Sequence, residues 1–126
     1  MSKKSLPRRL ADHQAIASAK VICTSPQKLG LIAGLIRNLH VNEALAQLTF
    51  SKRRASGEVK KVLSSAIANA ENNHQLDIDR LFVSTVEVGK AFTMKRFHAR
   101  ARGRGGKILK TSSNMKIVVE QREESK

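Results

Sequence analysis

The segment from Gly89 to Val119 contains nine lysines and arginines and no aspartate or glutamate. An ordinary hydrophobic core could not accept this segment, because each buried and unpaired charge would cost several kcal/mol or more. Its centre, Arg100 to Lys107, alternates arginine with small turn-forming residues. The segment must therefore lie in solvent or against a polyanion. A cationic ribbon with a glycine tip is typical of a protein that reaches into nucleic acid.

The whole chain is also strongly basic. It carries 24 Lys and Arg against 10 Asp and Glu, for a formal charge of +14, and this excess repels itself unless phosphates supply a counter-charge. An anionic membrane is disfavoured as the partner, because no segment joins a wide apolar face to a basic one without also resembling domain core. Trp and Tyr are absent and only four Phe occur, which favours structured RNA or duplex held by charge and shape over rows of stacked bases.

A chain of 126 residues has room for one domain with one core. We divide it into a flexible basic N-terminal arm at 1–13, a single nucleic-acid-binding domain at 14–119 with an extended hairpin at about 89–114, and a frayed tail at 120–126. Cys23 is the only cysteine, which fits a reducing compartment and excludes an intramolecular disulfide. It is interpreted as a small buried hydrophobe rather than a reactive nucleophile. The first ten residues lack the apolar stretch of a secretion signal.

The first half of the chain predicts one strand and three helices. The strand covers 15–22, and Ser25 can cap a first helix that begins with Pro26 and ends near Asn38. Asn42 can cap a short second helix. The third helix is predicted from Lys52 to Asn73, with an apolar stripe formed by Val59, Val62, Leu63, Ala66, Ile67 and Ala70. Its N-terminal half holds Lys52, Arg53, Arg54, Lys60 and Lys61. Because cations are unfavourable near a helix N-terminus, phosphate contact is favoured over a merely solvated face.

The second half predicts a long β-hairpin. Residues 80–88 alternate, with Phe82, Ser84, Val86 and Val88 on one face, and a last apolar strand runs over 115–119. Pairing Val88 with Val118 places the turn at about residue 103, where the turn-forming residues also lie. The hairpin beyond the core would have roughly ten residues per side and extend about 33 Å.

No constellation of residues predicts an enzyme, a metal site or a cofactor site. The four histidines lack metal-ligand spacing, and Ser64-Ser65 has no visible acid–base partner. Asp77 and Asp79 are typical of a turn. The glycines at the hairpin tip lack the downstream helix that a phosphate-binding loop needs. His98 is expected to stack on RNA or to bond to it rather than to act as a base.

Several motifs, in order along the chain, resemble the bacterial form of the large-subunit ribosomal protein uL22 family. They are Thr24–Lys28, Asn42–Leu45, Lys61–Leu63, Ser65–Asn73, Met94–Phe97 and Arg100–Arg104. The likeness covers about 14–119, and an ordered set of motifs is more specific than any one of them. The chain differs from the family pattern in having Lys90-Ala91-Phe92 before Met94, and in having Gly105-Gly106 where a bulkier pair is common.

The resemblance implies an α+β fold with three helices packed on a small three-stranded antiparallel sheet and a long protruding basic hairpin. It implies a structural component of the large ribosomal subunit, in the cytoplasm or in an organelle, that binds 23S-type rRNA and neighbouring large-subunit proteins. Its globular part would lie near the peptide exit. The hairpin residues Met94, Lys95, Arg96, Arg100, Arg102, Gly103 and Arg104 would line the exit tunnel and meet the nascent polypeptide. Neither a membrane nor a second copy of the chain is expected as a partner.

Charge and resemblance together give one set of candidate RNA-binding residues. It comprises Arg8, Arg9, Lys28, Arg37, Lys52, Arg53, Arg54, Lys60, Lys61, Lys90, Lys95, Arg96, His98, Arg100, Arg102, Arg104, Lys107 and Lys110. The alternative function is a free architectural protein whose ribbon enters the minor groove of duplex DNA. Such ribbons usually carry an apolar or proline wedge at the tip, whereas this tip offers only Arg, Gly and Ala.

Overall fold

The computed structural model describes residues 2–123. Three helices lie on one three-stranded antiparallel sheet with strand order β1-β3-β2, which confirms the predicted α+β class. The elements are β1 (Gln14–Ile22), α1 (Pro26–Ile36), α2 (Val41–Phe50), α3 (Ser56–His74), a 3₁₀ turn (Ile78–Arg80), β2 (Leu81–Ala99), a tip turn (Ala101–Gly103) and β3 (Gly105–Gln121). β2 and β3 pair along nearly their whole length and form the hairpin.

The core lies between the helices and one face of the sheet. Its largest fully buried side chains come from every layer: Leu29, Ile32, Ile36, Val41, Val59, Leu63, Leu81, Val83, Met115, Ile117 and Val119. Ala15 and Ala17 of β1 are buried where α3 crosses the strand. The Asn69 side chain donates to the Ile16 carbonyl at 3.0 Å. The alanines, which weaken the strand propensity of β1, leave the space that this close helix–sheet packing requires.

The start of α1 follows the prediction and the start of α2 does not. The Ser25 hydroxyl accepts a hydrogen bond from the Lys28 N–H at 3.4 Å, as expected of a cap. For α2 the cap is His40 rather than Asn42, because His40 Nδ1 accepts from the Asn42 N–H at 3.2 Å. The other ring nitrogen, Nε2, then carries the proton and donates to the Asp79 carbonyl at 2.7 Å. This second bond joins α2 to the turn before β2 and fixes the ring in its capping position.

The predicted start of α3 at Lys52 was wrong. The helix begins at Ser56, and 51–55 form the connection from α2. The Arg53 N–H donates to the Ser51 hydroxyl at 3.4 Å, and the Arg53 carbonyl accepts from the Ser56 N–H at 3.2 Å. These bonds hold the chain in a turn between α2 and α3. The next buried residues after the turn are Ala55 and Ser56, where the chain rejoins the core. Lys52 therefore precedes the helix, as do its two neighbouring arginines, which still lie near the positive N-terminal end of α3.

Two β-bulges change the predicted alternation of β2. They fall between Val83 and Thr85 and between Lys90 and Phe92, and each adds one residue to β2 against β3. Because a bulge reverses which side of the sheet the following residues face, Val83 and Val86 are both buried. The prediction that Phe82 to Val88 alternate without interruption was wrong for this reason.

The predicted pairing of Val88 with Val118 was also wrong, since Val88 lies opposite Met115. The bulge between Lys90 and Phe92 lies between Val88 and the tip and shifts the register by one residue, which a count of residues cannot anticipate. The position of the turn is nevertheless confirmed, because the tip occupies Ala101–Gly103.

The last strand continues through Gln121, beyond the predicted start of the tail. The Glu120 carboxylate lies 3.9 Å from His13 Nε2 and 3.8 Å from Arg122 Nε. Burial by itself would raise the pKa of Glu120. Hydrogen bonds from Gln14 and Ser84, together with the charges of Arg122 and His13, have the larger combined effect and lower the pKa below its usual value. These contacts join the end of β3 to the start of β1. Residues 124–126 of the predicted tail lie outside the described range.

Candidate nucleic-acid interface

The outer part of the hairpin extends beyond the core. From Phe92 opposite Ser112 to Ala99 opposite Gly105, the two strands pair only with each other, because Ser113 is the outermost residue of β3 that pairs with β1. Nearly all their side chains are exposed from Lys95 outward. A two-stranded ribbon of this kind buries no core of its own, so its side chains are available to a partner.

Cross-strand pairing in the hairpin separates the positive charges. Opposite residues share a face of the ribbon, and four consecutive pairs each place one cation against one apolar side chain: Met94 with Lys110, Lys95 with Leu109, Arg96 with Ile108, and Phe97 with Lys107. Like charges directly opposite each other would destabilise the ribbon. The register therefore keeps a highly cationic hairpin compatible with strand pairing, and both faces of the ribbon carry cations.

The tip is a tight turn with a strained arginine. Arg102 and Gly103 have φ of 60° and 67°, as the central residues of a type I′ turn do. The Arg104 N–H donates to the Ala101 carbonyl at 3.3 Å, and the Arg100 N–H donates to the Arg104 carbonyl at 2.7 Å. The left-handed conformation is easy for Gly103 but costs an ordinary residue such as Arg102 about 1 kcal/mol. The turn presents three arginines at the end of the hairpin.

Ion pairs lie outside the hairpin. Within residues 2–123, four pairs of oppositely charged side chains come within 4.0 Å, at Arg8–Asp12, Glu58–Lys61, Asp77–Arg80 and Glu120–Arg122, and a His13 ring nitrogen lies 3.9 Å from Glu120. None of them involves a cation between Gly89 and Val119. Lys116 lies opposite Glu87 across the sheet, and the other eight cations of that segment have no carboxylate opposite them or within 4.0 Å in the described part of the chain. A polyanion could neutralise these eight.

A second group of predicted residues meets in a groove beside the first turn of α1. Lys28, Arg53 and Arg54 line the groove together with Thr24 and two apolar residues, Ile32 and Ala55. One Arg54 nitrogen donates to the Cys23 carbonyl at 2.8 Å, which holds the guanidinium at the groove. This contact brings together residues that are 31 apart in sequence, which the sequence did not predict.

Cys23 is exposed, and its interpretation as a buried hydrophobe was wrong. It follows the last buried residue of β1, Ile22, at the point where the chain leaves the sheet. The apolar neighbours in sequence therefore do not surround it in space.

The other predicted residues are distributed over the globular part. Arg9 and Lys61 are exposed, and Lys61 lies 3.3 Å from the Glu58 carboxylate. Arg8 folds back to donate to the Gln14 carbonyl. Arg37 donates to the Val86 carbonyl at 2.8 Å and so braces β2 near the base of the hairpin. Lys52 is exposed beside the groove, and Lys60 is half-buried on α3.

Several exposed apolar side chains on the hairpin were not among the predicted site residues. Phe97 is 77% exposed and Leu109 is 58% exposed, and Ile108 is exposed as well. The signal was present as apolar residues inside an acid-free cationic segment. The sequence alone does not show that these apolar residues have no core to join, because that depends on how far the ribbon extends from the helices.

A metal centre and a membrane-spanning helix would be other classes of functional site. Among residues 2–123, no cluster of three or more His, Cys, Asp or Glu side chains is arranged to hold a metal ion. None of the helices in that range has both the length and the apolar character needed to cross a membrane.

We expect residues 90–113 to be mobile in the free protein, because the ribbon is exposed and its unpaired cations repel each other. Backbone NMR relaxation should give order parameters below about 0.6 in the hairpin and near 0.85 in α3. Addition of rRNA should raise the hairpin values. Uniformly rigid values in the RNA-free protein would contradict this expectation.

Comparisons with known proteins agree with the motifs. The family model described as "Ribosomal protein L22p/L17e" matches residues 17–120. The "Large ribosomal subunit protein uL22" of Rhodospirillum centenum is 62% identical over 122 residues, which cover 97% of this chain and 92% of that protein. The proteins of the same description from Maricaulis maris and Rhodospirillum rubrum are each 60% identical over 125 residues, covering 99% of both chains.

Proposed function

The chain belongs to the uL22 family of large ribosomal subunit proteins, and on this basis we propose that its hairpin and helix-side groove bind 23S-type rRNA. Members of this family are structural, non-enzymatic components of the large subunit. The protein accordingly works in translation, in the cytoplasm, as part of the bacterial ribosome. Ribosomal RNA and other large-subunit proteins are its partners.

One observation carries the RNA-binding proposal. Nine cations project from a segment with no acidic residue, and within residues 2–123 none of them has a carboxylate within 4.0 Å. Phosphates of folded rRNA would neutralise these charges and release condensed counterions. Because both faces of the ribbon carry cations, RNA on two sides of the hairpin would neutralise more of its charge than RNA on one side.

The groove beside α1 would provide a second contact with phosphate. Arg54 is already held in place by the Cys23 carbonyl, which reduces the entropy lost when it binds. Lys28 is in the first turn of α1, where the positive end of the helix dipole also favours an anion. The groove and the hairpin would together fix the orientation of the globular part on the RNA.

The tip of the hairpin would line the nascent-peptide exit tunnel, with the globular part near the exit. This part of the proposal rests on the family resemblance of Met94–Phe97 and Arg100–Arg104. The geometry supports it in that the tip is far from the core and ends in three arginines. The residues Met94, Lys95, Arg96, Arg100, Arg102, Gly103 and Arg104 would then face the tunnel or the RNA around it, and the tip would meet the nascent polypeptide.

Deletion of Met94-Lys95-Arg96 should leave the protein on the large subunit but move the hairpin tip. The core and the groove are untouched, so attachment survives. Loss of three residues from one strand reverses the faces beyond the deletion and should draw the turn inward by about 5 Å. Sedimentation of mutant ribosomes should show full occupancy, and chemical footprinting should show changed reactivity of tunnel rRNA.

The matched control replaces Met94, Lys95 and Arg96 by three alanines, which removes the side chains and preserves the register. We expect a smaller footprint change than for the deletion. A deletion footprint identical to that of the wild type, at full occupancy, would mean that the tip does not shape the tunnel. Absence of the wild-type protein from purified large subunits would contradict the proposed function altogether and would revive the alternative of a free DNA-binding protein.

A further inference from the structure

Phe97 is the most exposed of the large apolar side chains of the hairpin, at 77%. Its ring lies across the backbone of Gly105, so closely that a Cβ at Gly105 would overlap the ring. One side of the ring is thus supported by the opposite strand, and the remainder is open. This contact also gives a local reason for a glycine at this position, where the family often has a larger residue.

The surroundings of the ring are cationic. Lys107 lies directly opposite Phe97, and Lys95 is two residues away on the same face of the ribbon. An apolar protein surface that covered Phe97 would have to bury these two ammonium groups, which costs free energy unless each finds an anion. A partner that covers Phe97 therefore needs an apolar face for the ring and an anion for the lysines. A nucleotide has both, since its base offers the apolar face and its phosphate offers the anion.

We propose that Phe97 is a stacking platform for one unpaired nucleobase of large-subunit rRNA, with Lys107 and Lys95 contacting the phosphates on either side of that base. The inference rests on the proposed function and adds a specific site to it. The base must be unpaired, because bases within a duplex already stack on their neighbours and do not expose a face. Stacking on an aromatic ring tolerates any base, so the site would select an extruded nucleotide rather than a sequence.

Because the chain contains no Trp or Tyr, stacking on residue 97 can be tested by fluorescence. In a Phe97→Trp variant the new indole is the only strong fluorophore, and stacking of a base on it should quench its emission when protein-free large-subunit rRNA is added. Phe50→Trp is the matched control, because Phe50 is 85% exposed but lies at the end of α2 in the globular part. We expect saturable quenching at position 97 and little change at position 50.

Affinity measurements supply a second readout. Phe97→Leu keeps an apolar side chain but removes the stacking surface, and should weaken rRNA binding by about 5- to 150-fold, the range for loss of one base–aromatic stack. Phe97→Tyr should stay within about twofold of the wild type. Gly105→Ala should weaken binding as well, although it retains the phenylalanine, because the methyl group displaces the ring from its support.

The outcomes separate this inference from the proposed function. If the wild type binds rRNA with strong salt dependence but Phe97→Leu binds equally well, the proposal of base stacking on Phe97 is wrong and the proposal of rRNA binding remains. If the emission at position 97 changes only in assembled subunits and not on protein-free rRNA, another protein covers the ring and the proposal is overturned. If the wild type does not bind rRNA at all, both proposals fail.

Discussion

Binding of the purified protein to large-subunit rRNA should weaken by about a thousandfold to a hundred-thousandfold when salt rises from about 50 mM to about 200 mM. This is the range for a protein that neutralises six to ten phosphates. Eight of the nine cations between Gly89 and Val119 have no carboxylate opposite them or within 4.0 Å in residues 2–123, and the groove residues add to them. Filter binding or fluorescence anisotropy over a salt series would measure the slope of log affinity against log salt.

The location of the charges is tested by two triple variants. Replacement of Arg100, Arg102 and Arg104 by glutamine should reduce the slope by about 2 to 3, since each lost phosphate contact removes nearly one counterion. Replacement of Lys3, Lys4 and Lys20 by glutamine removes the same net charge from exposed residues outside the proposed interface. If both triple variants change the slope equally, net charge alone drives binding and the hairpin has no special role.

Ala66→Asp should prevent folding or lower the melting temperature by more than about 10 °C. Ala66 is 0% exposed on the face of α3 that packs against the sheet. A carboxylate there would lose its hydration without gaining a partner, at a cost of several kcal/mol, comparable with the whole stability of a small domain. Thermal melts followed by circular dichroism would measure the change.

Two controls accompany the Ala66 variant. Ser65→Asp places the same charge on the exposed side of the same helix, and Arg102→Ala changes the exposed hairpin tip. Both should melt within about 3 °C of the wild type, since surface changes usually alter stability by no more than about 0.5 kcal/mol. Ile67→Asp should be intermediate, because Ile67 is only half-buried at the rim of the core. Equal melting temperatures for all four variants would refute the packing of α3.

Local signals in the sequence predicted much of the fold. The acid-free segment predicted an exposed ribbon, and the Arg-Gly run predicted a turn that the structure places at Ala101–Gly103. Ser25 followed by Pro26 predicted the start of α1, and the spacing of apolar residues predicted the buried face of α3. These features depend on charge, backbone preference or periodicity within a few residues, and each acts before the tertiary structure forms.

Other features were decided by contacts between distant residues. His40 caps α2 because its ring also reaches the Asp79 carbonyl, 39 residues away, and no local rule favours histidine there. The bulges in β2 set which residues face the core, and a count along the sequence cannot locate them. Arg54 reaches the groove through a bond to the Cys23 carbonyl.

The same distinction applies to the candidate interface. The sequence by itself determined that the hairpin is cationic and exposed, because charge is a property of each residue. Only the strand register decided that four of the cations lie opposite apolar side chains and that Phe97 rests on Gly105. Register depends on the sum of many weak cross-strand contacts and on the two bulges, so it is a property of the folded sheet and not of either strand alone.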